Sequence, residues 1–187
     1  VGSEMCIRDR ACAGSFKDAG LEYTGALKVL QMIFSYEYLW IQIRVKGGAY
    51  GCMCSFSDQG DSMFVTYRDP NLSESYKVYD EAADYVADFD ADDRDMKKYI
   101  IGTIGSMDMP MEAVDMGARS FHAYFLGKTE ADLQKVRDQV LSCTQEDIRA
   151  LAPIVKAVVE AGNRCCIGNE EKIDQNKEYF DEVKHVL

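Results

Sequence analysis

Apolar side chains recur at helical spacing from residue 24 to 45: Leu27, Leu30, Phe34, Tyr38 and Ile41, with Ile33, Trp40 and Ile43 widening the stripe. That period predicts an amphipathic α-helix over 24–45, roughly 30 Å long by helix rise. Thr24 is the candidate N-cap. Gly47-Gly48 supplies the stop, since glycine leaves a helix through positive φ without steric cost. The period then changes to two. Tyr50, Cys52, Cys54 and Phe56 alternate with Gly51, Met53, Ser55 and Ser57, which predicts a strand. A turn over 57–61 and a returning strand over 63–67 make a hairpin.

Asp69-Pro70-Asn71 ends the hairpin, and helical patterns follow over 72–89, 94–104, 111–126 and 129–140, with another starting at 144. Thr129 and Thr144 each precede an Asp three places on, a capping box with Asp in place of Glu. Pro153 blurs the boundary of the last helix. Residues 11–16 read as the stub of a strand, 164–167 as a short strand, and 169–186 as a charged terminal helix. This order predicts an α+β fold: an antiparallel or mixed sheet with helices packed on one face.

Composition narrows the function classes. The chain has 187 residues, 47% of them hydrophobic, enough for one domain with a real core. Asp and Glu number 32 against 21 Lys and Arg, for a net charge of -11, which argues against a nucleic-acid partner. No apolar run approaches the ~20 residues of a membrane helix, so no membrane partner is expected. Seven cysteines without a C-x-x-C pair fit reduced thiols in a cytoplasmic setting. Residues 1–10 (VGSEMCIRDR) do not match the rest of the chain and resemble a translated sequencing adapter. The expected organisation is thus a non-native tail over 1–10 and a domain over 11–187 that is truncated at its N-terminal side.

The candidate chemistry sits in the turn Arg44-Val45-Lys46-Gly47-Gly48-Ala49-Tyr50-Gly51. On a continuous helix Arg44 and Tyr50 would not share a face, but a helix-turn-strand joint lets them converge. Arg offers a rigid fork of donors and the Tyr hydroxyl one more. Together they could hold a peptide carbonyl and stabilise its oxyanion, with Gly47 and Gly48 letting a substrate backbone lie close. The alternative is structural. Arg44 and Lys46 would complement the helix dipole, the glycines would be a C-cap, and Tyr50 an ordinary strand residue.

The segments LEYTGALKVLQMIFSYEYLWIQIRVKGGAYG, YRDPNL, FDADDRDMKKYIIGTIG, TQEDIRALAP and IGNEEKI, in that order, resemble the C-terminal region of the presequence-protease branch of the insulinase family. These are inverted-motif zinc metallopeptidases, and the resemblance runs from about residue 11 to the end. It implies a domain of the insulinase and mitochondrial-processing-peptidase type, one of several enclosing a chamber. It also implies that Arg44 and Tyr50 fill the family's Arg and Tyr positions, which contact substrate near a zinc held by the N-terminal half. The implied partners are peptide substrates and that missing N-terminal half of the same chain. The implied cofactor is zinc in the full-length enzyme, with none bound by this chain. A eukaryotic source would imply the mitochondrial matrix.

The family's zinc motif, His-x-x-Glu-His with a downstream Glu, is not present here. His122 and His185 stand far apart, and a metal role is expected for neither. Cys52 with Cys54, and Cys165 with Cys166, could in principle serve metal or redox chemistry, but packing is the preferred reading. The acidic run Asp80, Glu81, Asp84, Asp88, Asp90, Asp92, Asp93 and Asp95 lacks the spacing of a calcium loop. It reads as a solvated face, or as a negative wall attracting basic peptides. The expectation is therefore the non-zinc portion of an oligopeptidase, inactive alone. The rivals are a non-catalytic structural or peptide-binding member of the same fold and an unrelated acidic module with redox cysteines.

Overall fold

A computed structural model describes residues 9–184. His185 and residues 1–8 of the expected tail lie outside the described residues. Four strands, β1 (Asp9–Ser15), β2 (Gly51–Phe56), β3 (Asp61–Tyr67) and β4 (Asn163–Ile167), form a sheet in the order β2-β3-β1-β4. Every pairing is antiparallel. The hairpin β2–β3 forms in the expected place, with Cys54 opposite Phe64. Alternation divides the sheet. Cys12, Cys54, Phe56 and Phe64 are buried, whereas Met53, Met63 and Ile167 are exposed, so helices cover one face. β1 already includes Asp9 and Arg10, ahead of the expected stub over 11–16. Arg10 is fully buried in that strand and ion-paired to Asp69 at 2.7 Å.

The first helix departs from its expected winding. α1 (Ala26–Ile33) runs into two π-helical segments, Phe34–Tyr38 and Trp40–Lys46. Thr24 does not cap it. Gly25 is the N-cap, and its N–H donates to Gln139 Oε1 at 2.8 Å. A π ladder bonds i to i+5, so it brings residues five apart onto one face. Phe34 and Leu39 are both fully buried, as is Ile43, while Ile41, which an α-helical stripe would bury, is exposed. Packing therefore sets the winding: Phe34 sits against the rings of Phe56, Phe64 and Tyr85.

The remaining helices are α2 (Ser73–Asp80), α3 (Ala82–Ala87), α4 (Asp93–Met107), α5 (Ala113–Phe125), α6 (Glu130–Leu141), α7 (Gln145–Arg149), α8 (Ala152–Glu160) and α9 (Glu170–Asp174). The single helix expected over 72–89 breaks at Glu81. Both Thr capping boxes form, and Pro153 opens α8 at a position that needs no N–H. The long terminal helix expected over 169–186 does not form. Among the described residues of that span only α9 and a 3-10 turn, Lys177–Tyr179, are helical, because Tyr179 and Phe180 fold back to pack their rings on Tyr76. Those contacts replace helix propagation, which a charged, weakly apolar segment favours little.

Candidate functional site

The end of the second π segment fixes the candidate site. Gly47 N–H donates to Gln42 O, Gly48 N–H to Arg44 O, and Ala49 N–H to Ile43 O. This is a Schellman-like closure in which each bond spans one residue more than its counterpart at the Schellman end of an α-helix, as π winding requires. Gly48 takes φ +76. A Cβ on Gly47 would meet Ile43 O at 2.5 Å. Both glycines thus have a structural reason to be glycine. Asn71 Nδ2 holds Gly47 O at 2.5 Å. Tyr50 N–H then donates to Arg68 O, which carries the β2–β3 pairing past Gly51.

This joint brings Arg44 and Tyr50 together. The guanidinium carbon of Arg44 lies 5.4 Å from the centre of the Tyr50 ring and 4.6 Å from that of Trp40. From the neighbouring strand Arg68 comes to 5.6 Å from the Tyr50 ring, and Tyr67 meets that ring edge-on at 5.7 Å. Tyr50 is 61% exposed. Among the described residues its hydroxyl makes no hydrogen bond, and neither guanidinium side chain has a carboxylate partner. These contacts are to rings and not to carboxylates, so the guanidinium N–H donors of Arg44 and Arg68 keep no anionic partner among the described residues. The arrangement gathers two guanidinium groups around one exposed phenol ring.

Trp40, Tyr67 and Arg68 escaped sequence reasoning as members of this cluster. Trp40 stands four residues before Arg44, a spacing at which helical side chains meet. Arg68 follows Tyr67, the β3 partner of Gly51, and cross-strand pairing places it beside Tyr50.

Other candidates separate. Among the described residues no three of His, Cys, Asp and Glu stand together as a metal-ligand set. His122 lies exposed on α5. The described residues offer no ligand set that fits a zinc ion. Cys52 and Cys54 do share a face, but burial raises both thiol pKa values, as it does for Cys12 and, to about 12, for Cys143. These thiols stay protonated and pack. Part of the acidic run is structural as well. Asp80 pairs with Arg164, Asp90 with Arg149 and Asp95 with Lys98, while Asp92 caps α4.

Comparison with known proteins adds kinship to this geometry. The family model described as PreP C-terminal domain matches residues 6–169. Protein HypA of Clostridium perfringens is 41% identical over 177 residues, covering 95% of this chain and 18% of that protein. Presequence protease 1, chloroplastic/mitochondrial, of Arabidopsis thaliana is 33% identical over 179 residues, covering 94% and 17%. The chain spans less than a fifth of the length of these curated relatives. A solved structure from Bordetella parapertussis, described as an inactive zinc-protease peptidase domain, superposes with a TM-score of 0.64 over 86% of this chain and 88% of that one. At 14% identity this likeness concerns the fold.

Proposed function

Since this chain belongs to the PreP C-terminal domain family, we propose that it supplies the substrate-holding side of a peptidase site. Arg44 and Tyr50 grip the carbonyl of a peptide bond and stabilise the negative charge that develops on its oxygen during attack. The forked guanidinium fixes the direction of the carbonyl, and the phenol donates a further hydrogen bond. Gly48, exposed beside them, leaves the approach open to an extended backbone. The observation that carries this reading is that Tyr50 is 61% exposed and flanked by two guanidinium groups free of carboxylate partners among the described residues.

Kinship with presequence proteases suggests unfolded, basic peptides as substrates of a longer protein, in the bacterial cytoplasm or, in a eukaryote, the mitochondrial matrix. Zinc would serve that longer protein through residues other than those described. The contribution proposed for this chain involves no metal.

Tyr50→Phe tests the reading in the longer parent protein. It keeps the ring between its cations and removes the hydroxyl. Peptide turnover is expected to fall roughly 100-fold while thermal stability holds. Unchanged turnover would leave the cluster a structural joint.

A further inference from the structure

A groove of about 920 Å³ runs along the rod formed by α1 and the π segments. Along the rod it is bordered by Lys28, Gln31, Ser35 and Trp40; across from them stand Asp58 of the hairpin turn and Arg119 of α5. The groove and the candidate site share a boundary, because Trp40 lines the one and carries the Arg44 guanidinium of the other.

The charged side chains lining the groove are Lys28, Asp58, Arg119 and Lys128. Asp58 is ion-paired with Lys128. Lys28 and Arg119 form no salt bridge among the described residues; Arg119 donates to Met111 Sδ at 3.9 Å and acts on Asp108, itself paired with Arg137, only through its charge. Burial lowers the Lys28 pKa, Asp58 opposes that, and Arg119 and Lys128 lower it further. A chain of net charge -11 thus holds a cleft of surplus positive charge. A half-buried ammonium whose nearby carboxylate, Asp58, is already paired with Lys128 is costly, and an entering anion would relieve that cost. The volume suits a ligand segment of several residues.

We propose that this groove is an anion-accepting subsite of the peptide site, in which a carboxylate of the bound peptide sits between Lys28 and Arg119. The proposal rests on the reading that Arg44 and Tyr50 hold a peptide carbonyl. Lys28 and Arg44 lie roughly 20 Å apart along one helical rod, a span of about six residues of extended chain. The carboxylate is either the peptide's C-terminus or an Asp or Glu side chain; the chemistry is the same, and the two sources can be told apart.

Trp40 is the single tryptophan of the chain, so its fluorescence reports occupancy at the boundary between groove and site. Three peptides of about eight residues, long enough to cover the span, share one apolar sequence. One ends in a free acid, one in an amide, and one is an amide carrying Glu near its C-terminus. The free acid is expected to bind this chain about tenfold more tightly than the plain amide. Lys28→Met and Arg119→Gln should each abolish that advantage. Arg119 is exposed, so its variant keeps the test readable if Lys28→Met lowers stability. A Glu-amide matching the acid identifies side-chain carboxylates as the ligand; a Glu-amide matching the plain amide identifies the C-terminus.

Equal affinity of acid and plain amide, or an advantage that survives both substitutions, overturns the subsite alone, provided Tyr50→Phe still weakens the plain amide. Indifference of all three peptides to Tyr50→Phe overturns the carbonyl reading instead. A lack of saturable signal with every peptide overturns both.

Discussion

The Arg44 guanidinium lies over two rings, 4.6 Å from the centre of Trp40 and 5.4 Å from that of Tyr50. One ring belongs to its own helical turn and the other to the strand beyond the glycines. Contacts of this kind contribute about 0.5–1 kcal/mol each at exposed sites. They hold the guanidinium beside the phenol without giving it a carboxylate partner among the described residues.

The π winding makes a prediction that an α-helix would reverse. Ile43→Ala should cost roughly 2–5 kcal/mol, because Ile43 is 1% exposed. Ile41→Ala should stay within about 0.5 kcal/mol, because Ile41 is 37% exposed. Urea unfolding of the two variants measures the difference. A larger loss at Ile41 would restore the α-helical stripe.

The helix end should be intolerant in a graded way. Gly48, at φ +76, is exposed, so Gly48→Ala should cost about 1 kcal/mol through backbone strain alone. Gly48→Asn should cost less, since Asn adopts that conformation more readily. Gly47→Ala should be the most damaging, because its Cβ would press on Ile43 O at 2.5 Å. Thermal melts of the three variants give the order, and a harmless Gly47→Ala would contradict the closure described.

Much of this fold was legible, for identifiable reasons. The hairpin was visible because the period changes from 3.6 to two across Gly47-Gly48, and the Thr129 and Thr144 boxes because capping is local chemistry. The π winding was hidden. It depends on which residues Phe34 and Leu39 meet across the core, and a single strip of sequence does not carry that. The break at Glu81 and the fold-back of Tyr179 onto Tyr76 are tertiary outcomes of the same kind. In the candidate site, Arg44 and Tyr50 were readable from the turn, whereas Arg68 arrives through strand pairing.

The Asp58–Lys128 pair should show in the pH dependence of stability. Burial pushes the Asp58 carboxyl up, but hydrogen bonds from Lys128 and Gln59 and the Lys128 charge outweigh it, leaving the pKa below its ordinary 3.8. A carboxylate with a depressed folded-state pKa contributes stability above its unfolded pKa and loses it as pH falls through the folded one. The stability difference between the wild type and Lys128→Met should therefore hold at neutral pH and shrink below about pH 3.8. Urea midpoints across that range check it. A difference that grows on acidification would reverse the sign.

The central claim is that Arg44 and Tyr50 act on one carbonyl oxygen. A double-mutant cycle of Arg44→Ala and Tyr50→Phe on peptide turnover by the longer peptidase proposed above tests it most directly. Each single change should lower kcat/KM by about 100-fold or more. The double variant should be little worse than Arg44→Ala alone, since groups that serve one oxyanion act as a unit. Losses that simply multiply, or single variants that turn over peptide like the wild type, would contradict the account.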